Sequence, residues 1–175
     1  MNDIESLKNQ TLLEGLNIDE LKIIQGFVRK ITKVSGLPIF IEGQSTLGIY
    51  MIINGNVEVK RKLEVDAKQK MLIMLRNIHS TEIRLTNDGW EHIFAELEAN
   101  DFFGELSVVE GKKKHGALAL ALNDTDLFLL ETDSIYELEK TQPTIMGKIM
   151  RTIAKVACGD VRELDKRLYH ALVGN

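Results

Sequence analysis

The stretch Phe102-Phe103-Gly104-Glu105-Leu106-Ser107-Val108-Val109 sets a glycine, a carboxylate and a hydroxyl inside an otherwise apolar run. Burying a carboxylate without a partner is costly, so a polar insert among residues that want burial needs something to bind. Glycine lets backbone N–H groups come close to a ligand, and successive N–H groups form a concavity that receives anions. A carboxylate accepting from sugar hydroxyls, beside N–H groups turned to a phosphate, would make a nucleotide pocket. A plain turn before a buried strand has the same composition, so the choice rests on the surrounding sequence.

Upstream, Leu7, Leu12, Leu13, Leu16, Leu21, Ile24 and Phe27 recur at helical intervals, and Asn17 with Glu20 three residues later predicts a capping box. From Val28 the period shortens: Val28, Lys30, Thr32 and Val34 alternate as in a strand. Ser35-Gly36-Leu37-Pro38 punctuates, Ile39-Phe40-Ile41 follows, and Glu42-Gly43 turns the chain. Ile49 to Ile53 is an apolar strand, joined through the hairpin pair Asn54-Gly55 to Val57-Glu58-Val59. Lys62 to Asn77 is rich in helix formers and reads as an inserted helix or as a strand with a polar loop. Ile83 to Leu85 and Trp90 to Leu97 form a further hairpin around Asn87-Asp88-Gly89. Gly104 to Leu122 and Leu127 to Glu131 are expected to add at least two strands, with Ala117 to Leu122 buried on both faces.

Beyond Asp133 the period is helical again. A short helix over Ser134 to Lys140 ends near Pro143, and a long one runs from about Thr144 to Val173. Ile145, Ile149, Ile153, Val156, Val161, Leu164, Leu168 and Leu172 line its apolar face. About thirty helical residues span ~45 Å, more than one small sheet covers, so a partner helix is expected. The fold class is therefore mainly β with flanking helices: an antiparallel, jelly-roll-like β-roll with N-terminal helices and a long C-terminal helix.

In this order and spacing, the chain resembles a cyclic nucleotide-binding domain of the catabolite activator type. The resemblance rests on Leu12-Leu13-Glu14-Gly15-Leu16, on Ile39 to Gly43, on Tyr50-Met51-Ile52-Ile53-Asn54-Gly55-Asn56-Val57-Glu58-Val59 and on Phe103-Gly104-Glu105-Leu106-Ser107, the start of a phosphate-binding cassette. It implies a β-roll over residues 1–142, with an insertion near 63–89, and a dimerisation helix over 143–175. It also implies a ligand, cyclic AMP or cyclic GMP, whose ribose 2′-hydroxyl donates to Glu105. The cyclic phosphate would face the backbone of Gly104, Leu106 and Ser107 and the Ser107 hydroxyl.

The family's cassette continues into an arginine that forks onto the phosphate. Here the run is Gly111-Lys112-Lys113-Lys114-His115-Gly116-Ala117, without arginine. Counted back from Ala121-Leu122, His115 takes that place; counted forward from Gly104, Lys114 does. Lysine serves a phosphate as a point charge, and histidine only when protonated. Two readings follow: a ligand-sensing regulatory domain coupling the pocket to the long helix, or a non-binding relative that acts as a dimerising scaffold or protein-interaction module. The expected dimer contacts are Ile149, Ile153, Val156, Leu164 and Leu168.

Other classes lack their residues. The four histidines (His79, His92, His115, His170) have no metal-ligand spacing, and no catalytic signature occurs, so neither a metal, a cofactor nor enzymatic activity is expected. Lone Cys158 is expected to be a small packed residue. With 22 basic against 26 acidic residues the chain is not built for nucleic acid, and no helix-turn-helix module is expected. No run approaches the ~20 apolar residues of a membrane span. With one cysteine and no basic, apolar leader, a cytoplasmic protein acting through a nucleotide, a second copy or an unidentified protein partner is expected.

Overall fold

The computed structural model describes residues 3–64, 66–69, 71, 83–87 and 89–173. Helix α1 (Asp3–Lys8), a 3-10 turn (Thr11–Leu13) and α2 (Ile18–Gln25) precede nine strands among the described residues. These are β1 (Val28–Lys33), β2 (Pro38–Phe40), β3 (Gly48–Asn54), β4 (Val57–Lys62), β5 (Ile83–Thr86), β6 (Gly89–Leu97), β7 (Phe102–Phe103), β8 (Leu118–Ala121) and β9 (Thr125–Glu131). Helix α3 (Glu105–Val109) lies between β7 and β8, and α4 (Thr132–Thr141) and α5 (Pro143–Val173) close the chain.

Two antiparallel sheets face each other, in the orders β1-β9-β3-β7 and β2-β8-β4-β6-β5. Strands β3 and β9 are the hinge of the design because both of their faces are buried. Side chains alternate across a strand. Ile49, Met51, Phe128 and Leu130 therefore pack with the helices, whereas Tyr50, Ile52, Leu127 and Leu129 fill the space between the sheets. This double burial explains why Ile49 to Ile53 reads as an unbroken apolar run rather than an alternating one. Between the two strands, the carbonyl of Leu130 lies so close to Gly48 that a Cβ there would sit 2.1 Å from its oxygen.

Most element assignments match the sequence reading, including the hairpin β5–β6 and the reciprocal Asn17–Glu20 capping box, whose bonds measure 3.0 and 2.8 Å. Three differ. Asn54-Gly55 joins β3 to β4, but the two strands lie in different sheets and do not pair, so this turn carries the chain from one sheet to the other instead of closing a hairpin. Glu105–Val109 is a helix, not part of a strand, because Gly104 adopts φ +86° and turns the chain into a helical start. Strand β8 buries only Ala119 and Ala121, leaving Leu118 and Leu120 half-buried on its other face. The insertion read over Lys62 to Asn77, and His79 just after it, lie largely outside the described residues.

The first half of α5 belongs to the core. Ile145, Met146, Ile149 and Ile153 pack on α1, α2 and the 3-10 turn, with Val156 at the margin. Lys148 bonds both carboxylate oxygens of Glu20 at 2.7 and 2.8 Å, and Lys155 reaches Glu14 at 2.9 Å. From Cys158 to His170 every residue is exposed. Ile149 and Ile153, expected at a dimer interface, are thus consumed by the chain's own helices, because the N-terminal layer underlies the first turns of an apolar line that is continuous in sequence. Cys158, expected to be packed, is exposed because it lies just past that layer.

Candidate functional site

Strand β7 delivers the chain to Gly104 beside Tyr50. A Cβ on Gly104 would meet the Gly48 carbonyl oxygen at 3.0 Å and the Tyr50 ring at 3.2 Å, so glycine is required both by φ and by this close approach. Glu105 and Ser107 then fall on the inner side of α3 and Leu106 and Val109 on the outer, where they are exposed. Burial pushes the Glu105 carboxyl above the usual carboxylate range. A hydrogen bond from its own backbone N–H opposes this, and the Asp160 carboxylate of α5 reinforces it.

The second arm of the cassette pairs with the loop after β2. Ser45 bridges Lys114, flanked by Thr46 N–H to the Lys113 carbonyl at 3.0 Å and His115 N–H to the Gln44 carbonyl at 2.9 Å. Alternation along this ribbon sends Lys114 outward and His115 inward. Lys114 is exposed, while His115 retains 3% exposure. The imidazole lies flat on Phe40, with ring centroids 3.7 Å apart and planes 6° apart, and Tyr50 stands 6.5 Å away. Phe103 stacks on Tyr50 at 5.2 Å, which joins both arms through one aromatic cluster. Phe40 and Tyr50 are the site residues that sequence reasoning assigned only to strands; an aromatic in a strand looks the same whether it packs a core or lines a pocket.

Burial holds the His115 imidazole below the usual histidine range. Its Nε2 is buried without a hydrogen-bond partner among the described residues, as is the hydroxyl oxygen of Thr46, two positions along the opposite strand of the ribbon from Gln44. An unmade hydrogen bond of this kind costs about 1–3 kcal/mol, so both atoms are receptive to a polar ligand. Gly104, Glu105, Leu106 and Ser107 thus stand together at the head of α3, and His115 belongs to the aromatic cluster that includes Phe103 beside them. Lys114 stands apart on the surface.

No family model matches the chain. Lysophospholipase NTE1 of Saccharomyces cerevisiae is 28% identical over 122 residues, 70% of this chain and 6% of that protein. The cyclic AMP receptor protein of Thermus thermophilus is 22% identical over 162 residues, 93% of this chain and 62% of that protein. The chain thus spans less than two thirds of the length of either curated relative. Among solved structures, a cyclic nucleotide-binding domain from Methylobacillus flagellatus superposes with a TM-score of 0.75 at 17% identity, covering 99% of this chain and 86% of that one. The regulatory domain of Toxoplasma gondii PKA, crystallised with cAMP, gives 0.64 at 17% identity, covering 89% and 48%. With its two antiparallel sheets, N-terminal helices and long closing helix, superposed over 99% of its length, the chain has the β-roll fold of the cyclic nucleotide-binding domains of catabolite-activator-type regulators.

Proposed function

We propose that this chain is a ligand-sensing regulatory domain whose β-roll takes a cyclic nucleotide, cyclic AMP or cyclic GMP. The observation that carries the reading is the first arm of the cassette: left-handed Gly104 heads a helix that turns Glu105 and Ser107 inward. In this reading Glu105 accepts from the ribose hydroxyl, and the backbone of Gly104, Leu106 and Ser107, with the Ser107 hydroxyl, meets the cyclic phosphate. Lys114 or His115 supplies the charge that arginine supplies in the resembled family. The role is regulatory rather than catalytic; the match to NTE1 covers 6% of that enzyme and carries no activity with it.

The output is the long helix. Its outer half exposes Val161, Leu164 and Leu168, and in this reading a ligand in the β-roll would favour one position of that half over another. A homodimer through Leu164 and Leu168 would cover the exposed apolar face. Sedimentation should give a dimer that Leu164→Glu with Leu168→Glu converts to monomer; a dimer that survives both changes puts the interface elsewhere.

One observation favours the second reading, a non-binding scaffold: the His115 ring is already stacked on Phe40 inside the roll. Thermal unfolding separates the two. A ligand at a hundred times its Kd stabilises the folded state by ~2.7 kcal/mol. A midpoint raised by cyclic AMP or cyclic GMP supports the sensor, and an unmoved midpoint at millimolar nucleotide supports the scaffold.

A further inference from the structure

We propose that this pocket holds a phosphodiester monoanion through the protonated imidazole of His115, so that ligand binding takes up one proton. The inference rests on the reading of the pocket as a cyclic nucleotide site and assigns how its charge is met. His115 is turned inward by the ribbon it shares with the loop after β2, whereas Lys114, one residue earlier, is turned out to solvent. Its Nε2 is buried and has no hydrogen-bond partner among the described residues. One face of the ring is fixed against Phe40, which holds the imidazole plane in a single orientation.

An anionic oxygen reaching Nε2 would supply both the missing hydrogen bond and a countercharge. Only the doubly protonated ring is a donor at both nitrogens and carries the charge. The elements around it present few competing groups. Phe40 comes from β2, and from β3 comes Tyr50, whose phenol is pushed up by burial. Glu105 of α3 is itself displaced toward its neutral form, while Lys113 and Lys114 of the ribbon are exposed. In the free protein burial favours the neutral imidazole, the direction opposite to the one an anion imposes. The free and bound proteins therefore differ in protons held. Between their two pKa values, affinity should rise up to about tenfold for each unit by which pH falls, and it should level off below the lower one.

The test is calorimetric titration of the full chain with cyclic AMP and cyclic GMP from pH 5 to 8, in two buffers of different ionisation enthalpy. The expected result is binding that tightens toward acid, with a buffer-dependent enthalpy corresponding to uptake of up to one proton. His115→Arg should bind with affinity independent of pH across this range and without proton uptake. Should that buried position refuse arginine, NMR titration of the His115 ring in the parent gives the same answer: its pKa must rise when nucleotide is added. Binding by the parent without proton uptake, or an unmoved His115 pKa in the complex, overturns the proposal and leaves the pocket reading intact. Binding by His115→Arg alone, with none by the parent even at pH 5, also overturns it. Binding by neither, with the variant folded, overturns both.

Discussion

The two arms of the cassette behave as opposites. From Phe102 to Val109 the chain sets out an aromatic pair, a left-handed glycine, a half-buried carboxylate and a buried serine, the parts the proposed reading needs. From Gly111 to Ala117 it departs, and a neutral-leaning imidazole stacked on Phe40 stands where a fixed positive charge would be expected. On the proposed reading, shape is kept in one arm and charge is conditional in the other. Such a pocket would retain the hydrogen-bonding half of recognition while its electrostatic half depended on pH.

The contrast can be broken from the first arm most forcefully. Replacing Glu105 by alanine removes charge-assisted hydrogen bonds worth about 1.5–3 kcal/mol, a loss of roughly 10- to 150-fold in nucleotide affinity by calorimetry. Equal binding by the variant would show that the carboxylate merely caps its own turn. Gly104→Ala comes next. It forces a side chain into the left-handed region and against Tyr50, and should cost about 1–2 kcal/mol of folding stability in denaturant titration. A neutral result would mean that β7 and α3 can shift together.

The pH dependence of the unliganded protein sharpens the comparison further. His115 has a depressed folded-state pKa, so its contribution to stability is present above its unfolded value near 6.5 and is lost as pH falls through the folded value. Glu105 has a raised one, so its contribution is present below its unfolded value near 4.5 and is lost as pH rises through the folded value. His115→Phe should therefore flatten the loss of stability on acidification from pH 7 to 5, and Glu105→Gln should flatten the loss on the alkaline side of pH 4.5. Identical slopes in parent and variants would mean that neither group is held as buried as it stands. The smallest effect belongs to Lys114→Ala, which at an exposed position should change stability by no more than about 0.5 kcal/mol. If it also abolished nucleotide binding, the charge would lie with Lys114 and not with His115.

What could be read from sequence follows the same division. Period and turn chemistry revealed the turn at Asn54-Gly55, the capping box at Asn17 and the long helix, because each is a local pattern; that this turn leads into the other sheet and not into a paired strand depends on long-range pairing that the dipeptide does not carry. The helix at Glu105–Val109 was missed because five residues are too few to express a period, and a left-handed glycine is not visible in its letter. Counting could not decide between Lys114 and His115 as the inward residue; the Ser45–Lys114 bridge, a contact across 69 positions, sets that alternation. In the long helix the apolar line runs on without a break, so nothing in it marks Ile149 and Ile153 as core and Leu164 and Leu168 as surface. That boundary is drawn by α1, α2 and the 3-10 turn, which pack under the first half alone.

The most direct test is a side-by-side calorimetric titration of the parent and Glu105→Ala with cyclic AMP and cyclic GMP at pH 6. The account predicts saturable one-to-one binding of at least one nucleotide by the parent, weakened at least tenfold in the variant. No heat of binding from either nucleotide, in a parent shown to be folded, would contradict it and leave a β-roll that serves as a scaffold for its long helix.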